Sequence, residues 1–288
     1  MVFRELLSQG VKKLKKAGIA SPEVDAFYLF EAASGLDRAA YLMKCEQEAP
    51  EKVRETYLGY ITRRASHVPY QYILGEAWFY GFKFRVDESV LIPRLDTEIL
   101  VQEALDIMPE EAKGFNVLDM CTGSGCVGIT IKKMKPGADL CLCDISPEAL
   151  SLAKENAACI AGQESGNIRF ILSDLFAEIE DEEWFDLIVS NPPYVSEAEY
   201  RDLEPEVKEH EPALALLAGS RGMDIYERLV PAAAEHLNAG CPLVLEIGSG
   251  QAREVSSLMR SAGLSDIYVK KDLAGLDRVV CGRKMGNV

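Results

Sequence analysis

The spacing of apolar residues changes once along this chain, from a helical period to an alternating one. Up to about residue 75 they recur every three or four positions, the mark of amphipathic helices. Phe3, Leu6, Leu7, Val11 and Leu14 define a first helix. Ser21-Pro22 starts a second, as an N-cap followed by proline at the first helical position. Val24, Phe27, Tyr28 and Phe30 give this helix its apolar side, and Gly35 stops it. Asp37 can cap a short third helix, and Val53, Tyr57 and Ile61, four apart, belong to a fourth. From Trp78 the period becomes two. Trp78, Tyr80, Phe82, Phe84 and Val86 alternate with Phe79, Gly81, Lys83, Arg85 and Asp87, which predicts a strand or hairpin. This stretch leads through Leu91-Ile92-Pro93-Arg94 into a helix over 97–107, and the domain junction falls here.

After Gly114 strands and helices take turns. Apolar runs at 116–120, 140–143, 168–172, 185–190 and 243–247 read as strands, with helices opened by the turn after 120, by Ser146-Pro147, near 224–237 and at 251–262. Such alternation implies a parallel sheet covered on both faces, an α/β fold. The last two runs, 266–270 and 278–281, have no helix between them and predict an antiparallel hairpin. That ending separates a Rossmann-like methyltransferase sheet from a dinucleotide-binding one.

Charge and composition narrow the partners. Residues 1–95 carry 14 Lys and Arg against 12 Asp and Glu, whereas residues 96–288 carry 17 against 34. So acidic a body repels phosphate backbones and argues against direct large-area nucleic-acid binding. No stretch approaches the ~20 apolar residues of a membrane span. The first 20 residues have Glu5 and helical spacing rather than an apolar signal core. The eight cysteines form no CxxC pair and the three histidines are scattered, so no metal site is expected. Reduced, buried thiols fit a cytoplasmic protein.

Two segments carry chemistry. Asp119-Met120-Cys121-Thr122-Gly123-Ser124-Gly125-Cys126-Val127-Gly128 lies between a strand and a helix, where glycines let the backbone turn sharply and approach a ligand. Asp144 ends the next strand and can accept both hydroxyls of a ribose. Together they describe an adenosine-containing cofactor, although the Gly123-x-Gly125-x-x-Gly128 pattern also fits a nicotinamide dinucleotide. The second segment, Asn191-Pro192-Pro193-Tyr194, leaves the carboxyl end of a central strand, where open α/β sheets bind ligands. Its prolines remove backbone donors, so the turn presents acceptors. The Asn191 side-chain oxygen and the Pro192 carbonyl can accept the two hydrogens of one NH2 group, which fixes the nitrogen and turns its lone pair toward a methyl on sulfonium. Tyr194 offers a flat face to an amide or base. Hydride transfer gives this turn no role.

These segments look like those of amino-methyltransferases acting on adenine N6 or on glutamine amides. The likeness extends to His67-Val68-Pro69-Tyr70-Gln71-Tyr72, Phe79-Tyr80-Gly81, Val90 through Pro93-Arg94-Leu95-Asp96-Thr97-Glu98, Ser146-Pro147, Asn156-Ala157, Glu211-Pro212 and Leu245-Glu246-Ile247-Gly248. Over nearly the whole chain it resembles the release-factor glutamine methyltransferases. The resemblance implies a helical domain over 1–75 that selects the substrate, a hairpin linker over 76–95, and an S-adenosylmethionine-dependent catalytic domain over 96–288. It implies methylation of the glutamine amide in the Gly-Gly-Gln tip of class I peptide chain release factors. Cys121, Thr122, Gly123, Ser124, Gly125 and Asp144 would then hold S-adenosylmethionine, with Asp174 and Leu175 flanking adenine. Asn191, Pro192, Pro193 and Tyr194 would hold the glutamine amide, with Asn191 also near the cofactor methyl. Cys121 stands where the family usually has glycine, Leu95 where it has proline, and Leu175 where a bulkier group is common. The alternative, adenine N6 methylation of nucleic acid, would need a basic groove to receive a flipped base.

Overall fold

The computed structural model describes residues 1–286, the side chains of 163–165 excepted. The chain forms two compact units: Met1–Glu76 with Glu204–His210, and Ala77–Leu203 with the residues from Glu211 on.

The first unit contains α1 (Phe3–Lys16), α2 (Pro22–Ser34), α3 (Arg38–Lys44), α4 (Glu51–Arg64) and the short α5 (Tyr70–Leu74), together with a distant helix, Pro205–His210. Phe30 sits at the centre, with the rings of Phe3, Tyr41 and Tyr57 edge-on to it at 5.7, 5.4 and 5.8 Å, the geometry ring quadrupoles favour. α1 meets α4 at Gly10, where a Cβ would lie 1.9 Å from the Tyr57 hydroxyl. Only glycine fits this contact.

The apolar side of α2 differs from the one its spacing predicts. Ala26, Phe27, Leu29 and Phe30 are buried, whereas Val24 and Tyr28 are exposed, and Tyr28 stacks on Tyr70. The cause is a buried acid. Asp25 faces inward and accepts from Arg64 Nε at 2.7 Å, while Arg64 also pairs with Glu206 and donates to the Val68 carbonyl. Ser21 precedes Pro22 as expected but makes no capping hydrogen bond, whereas Asp37 does cap α3 by accepting from the Ala40 amide.

The second unit opens at Ala77, one residue into the hairpin of β1 (Glu76–Phe79) and β2 (Phe82–Arg85). Tyr80 and Gly81 both have positive φ, 50° and 79°, as in the tight turns that suit twisted hairpins. This turn breaks the alternation read from the sequence: Ala77, Phe79 and Phe84 are buried and Trp78 is 65% exposed. Phe79 and Phe84 join the core formed with the sheet.

There follow α6 (Glu98–Ile107), β3 (Asn116–Met120), α7 (Cys126–Met134), β4 (Asp139–Asp144), α8 (Pro147–Ile160), β5 (Ile168–Leu172), β6 (Leu187–Ser190), α9 (Glu197–Asp202), α10 (Pro205–His210, the helix of the first unit), α11 (Asp224–His236), β7 (Pro242–Glu246), α12 (Ala252–Ser261), β8 (Leu264–Lys271) and β9 (Asp277–Lys284). The strands form one sheet in the order β5-β4-β3-β6-β7-β9-β8, with β3 to β7 parallel and β9 antiparallel to both neighbours. Val117, Leu140, Leu142 and Val189 pack into one core, and Leu118, Cys141, Ile188 and Leu243 into another. Burial on both faces explains why the strands read as continuous apolar runs. The strand order reverses between β3 and β6, which opens a crevice at their carboxyl ends. No described helix is long and apolar enough to cross a membrane.

Candidate active site

The crevice holds a cavity of about 250 Å³. Its floor is the loop after β3. Cys121, Gly123 and Gly125 have φ of 59°, 55° and 81°, a left-handed sequence that favours glycine and costs a cysteine roughly 1–2 kcal/mol. Glycine would adopt this angle at position 121 without that cost. The loop is pinned from below. Thr122 donates its amide to the Cys143 carbonyl at 3.0 Å and its hydroxyl to Asp119 Oδ2 at 2.6 Å, and the same oxygen accepts the Gly128 amide at 2.9 Å. Burial pushes Asp119 up to about 7, against these two hydrogen bonds. Gly128 is glycine for lack of space, since a Cβ would meet Leu142 at 2.5 Å and Asp119 at 2.9 Å.

Asp144 closes the next side. Its two oxygens accept the Gly123 amide at 2.8 Å and the Ser146 amide at 2.9 Å, and burial raises its pKa. Asn156 ties the hairpin to the loop: its amide donates to the carbonyls of Ser124 and Arg85, and its oxygen accepts the Arg85 amide. The sequence pattern contained Asn156 without revealing this task. The Ser124 hydroxyl lines the cavity, buried and without a hydrogen-bond partner.

Of the residues expected to hold a cofactor, Cys121, Thr122, Gly123, Ser124, Asp144, Asp174, Leu175 and Asn191 all line this one cavity. Gly125 does not; it turns the chain into α7 and donates its amide to the Thr122 carbonyl. Leu175 has a φ of 54° and is buried, and Asp174 pairs with Arg228 at 2.8 Å. Of the turn after β6, Asn191 and Pro193 line the cavity, whereas Pro192 and Tyr194 do not. Asn191 donates its amide Nδ2 to Thr97 Oγ1 at 3.2 Å. Tyr194 reaches Glu246 at the end of β7 with its hydroxyl, at 3.4 Å, and its carbonyl accepts from Gln251. Burial, reinforced by the charge of Glu246, raises the Tyr194 phenol, and burial pushes Glu246 up to about 7.

The far wall comes from segments that carried motifs but no assigned task. Leu91, Pro93, Arg94 and Thr97 enter from before α6, and Pro212, Leu214 and Ala215 from after α10. The Pro-Arg and Glu-Pro motifs meet here: Arg94 pairs with the buried Glu211, whose other oxygen faces the Ile92 amide. Burial pushes the Cys126 thiol up to about 12 and raises that of Cys121 further, which keeps these cavity cysteines as neutral thiols near pH 7. Among the described residues no three His, Cys, Asp or Glu side chains are grouped to hold a metal ion.

The cavity suits an adenosine-containing cofactor. Each Asp144 oxygen keeps a lone pair after its amide contact, Ser124 awaits a partner, and the loop backbone is laid open by its glycines. Residues 5–75 match the model of the PrmC N-terminal domain and residues 95–206 that of the Methyltransferase small domain. A methyltransferase from Pyrococcus furiosus shares the fold, with a TM-score of 0.54 at 18% identity over 78% of this chain and 99% of that one. The release factor glutamine methyltransferase of Geobacter sulfurreducens is 40% identical over 98% of this chain and 96% of its own. That of Koribacter versatilis is 40% identical over 99% of both. With both domain families matched and likeness end to end, the chain belongs to the release factor glutamine methyltransferase family.

Proposed function

We propose that this protein transfers a methyl group from S-adenosylmethionine to the side-chain amide nitrogen (N5) of the glutamine in the Gly-Gly-Gln tip of class I peptide chain release factors, in the cytoplasm. The observation that carries the reading is the orientation of Asn191. Its nitrogen is engaged by Thr97, which leaves its oxygen as an acceptor in the cavity that also contains the glycine loop and Asp144.

Residues 121–124, Asp144, Asp174 and Leu175 would hold S-adenosylmethionine, which would supply an electrophilic methyl on a sulfonium. The protein's part is to present the nitrogen. Asn191 Oδ1 would accept one amide hydrogen. The Pro192 carbonyl, buried beside the cavity rather than lining it, would accept the other once the substrate reaches the turn, so the nitrogen could not swing and its lone pair would leave conjugation with the carbonyl. Tyr194 and Pro193 stiffen the turn that sets these acceptors. The neutral amide nitrogen would take the methyl as the methyl–sulfur bond breaks, its electron pair staying on the sulfur of the departing S-adenosylhomocysteine. The methylated amide would then lose its acidified proton to water. No base is needed before the transfer, and no histidine is among the lining residues. Most of the acceleration then comes from positioning.

The helical unit carries no cofactor loop. Residues 1–75 hold the body of the release factor while its tip enters the cavity, and a second contact raises the effective concentration of the glutamine without touching the reacting groups. The acidic balance of residues 96–288 disfavours the rival reading, adenine N6 methylation of nucleic acid.

Incubation with methyl-labelled S-adenosylmethionine and a purified class I release factor tests the proposal. Label on the intact factor and none on a Gln→Ala tip variant is expected. Equal labelling of the two factors, or none of either, would overturn it.

A further inference from the structure

Asn191 can act only in one of its two amide orientations, because a flipped amide would turn NH2 toward the substrate NH2 and repel it. We infer that Thr97 and Glu246 fix that orientation through a chain of polar contacts behind the turn, and are positioning residues for the transfer. The inference rests on the reading of Asn191 given above.

The chain runs across three elements. Asn191 Nδ2 donates to Thr97 Oγ1 at 3.2 Å. A threonine hydroxyl has one hydrogen to give, and with its oxygen accepting from Asn191 that hydrogen points elsewhere. The Thr97 hydroxyl lies against the Glu246 carboxylate, without completing a hydrogen bond to Oε2, which is buried and unpartnered. Glu246 Oε1 accepts from the Tyr194 hydroxyl at 3.4 Å. Thr97 and Glu246 are both almost wholly buried, at 2% and 1% exposure, so water does not compete for these groups.

Polarity along the chain follows from the far end. Once ionised, Glu246 only accepts, so each neighbouring hydroxyl turns its hydrogen toward it; burial delays that ionisation to about pH 7. Thr97, with its hydrogen drawn toward the ionised Glu246, then offers Asn191 an acceptor and so draws its NH2. The Asn191 oxygen is thereby left to the cavity. On the other arm the same carboxylate holds Tyr194, the last residue of the turn. One buried acid thus sets both ends of the 191–194 segment, and its unpartnered oxygen gives the Thr97 hydrogen a place to go. A buried acceptor left unmet is costly, which makes the reverse orientation of Thr97 unfavourable.

Three variants test this: Thr97→Val, which keeps the shape and removes the hydroxyl; Thr97→Ser, which restores it; and Glu246→Gln, which can donate as well as accept. Turnover on the release factor, KM for that factor, affinity for S-adenosylhomocysteine by calorimetry and thermal midpoint are measured for each. We expect Thr97→Val and Glu246→Gln to lose 10-fold or more in kcat, with KM and S-adenosylhomocysteine affinity within about two-fold of the wild type. Thr97→Ser should recover most of the loss. A Thr97→Val protein with wild-type kcat overturns the inference. So does a loss of cofactor affinity or thermal midpoint that Thr97→Ser fails to restore, since that marks a packing role. If the wild-type protein itself leaves the release factor unlabelled, the functional reading fails instead, and the two failures are distinct.

Discussion

Replacing Asp144 with alanine isolates the cofactor half of the site. Each carboxylate oxygen already accepts one backbone amide, from Gly123 and from Ser146. Each has a second lone pair, and two hydroxyls of one ribose would take them. Hydrogen bonds to a charged acceptor are worth about 1.5–3 kcal/mol. The two contacts share one carboxylate and do not add fully, so Asp144→Ala should weaken binding by about 10- to 150-fold. The factor should be the same for S-adenosylmethionine and S-adenosylhomocysteine, which share the ribose. Asp144→Asn keeps one acceptor oxygen and should fall between. Burial raises the pKa of Asp144, so wild-type affinity should weaken as pH drops and the carboxylate takes a proton, while the alanine variant loses that dependence. Titration calorimetry on the three proteins at pH 8 and at successively lower pH, with circular dichroism to confirm folding, reads all of this. A folded alanine variant with unchanged affinity for both ligands refutes the assignment, and unequal losses would move the contact away from the ribose.

Asn191→Ala removes an acceptor from the substrate nitrogen and should lower kcat by about 10²-fold or more with the fold intact; a folded variant within a few-fold of wild type would refute the role of the turn. Arg64→Met leaves Asp25 buried without its partner and should cost about 3–5 kcal/mol at pH 7 by urea unfolding. The cost should shrink at acid pH, because burial already raises Asp25 and protonation spares it the lost charge; a loss independent of pH would contradict this. Asp119, raised by burial to about 7, favours the folded state when protonated, and that advantage is complete below its unfolded pKa near 4 and gone above 7. Relative to Asp119→Asn, whose oxygen can still accept from Thr122 and Gly128, the wild type should therefore lose on the order of 4 kcal/mol as pH rises across that window. Thermal midpoints of the two proteins that keep a constant gap between pH 5.5 and 8 would disprove it.

How much of this was legible in the sequence depended on whether the signal was local. The strand at Asn116–Met120 and the one at Ile168–Leu172 have the bounds their apolar runs suggested, because strands in a parallel sheet are marked residue by residue. The glycine loop announced itself for the same reason: Gly123 and Gly125 adopt backbone angles that few other residues tolerate. Contacts between distant residues were not legible. Thr97 and Asn191 are 94 positions apart, and Tyr194 and Glu246 are 52 apart. Asn191 and Tyr194 stood out as the turn, whereas Thr97 and Glu246 appeared only inside motifs, with no partner indicated. Arg94 and Glu211 were visible as motifs, but not as partners. On α2 the spacing misled because a polar residue, Asp25, occupies a core position. In the hairpin, a turn of two left-handed residues shifted the alternation that was counted straight through it.

The membership of Pro205–His210 in the helical unit has a consequence in time. Glu206 follows its partner Arg64 by 142 positions. A ribosome moving at ~5–20 residues per second delivers it about 7–30 s after the arginine. Through that interval the nascent helices have Asp25 to neutralise Arg64 but lack the second acid, and β3 to β6 are synthesised in the meantime. The part of the protein that emerges first is therefore still incomplete when most of the parallel sheet has been made, and the moment it can settle is set by the arrival of a segment encoded beyond that sheet's central strands.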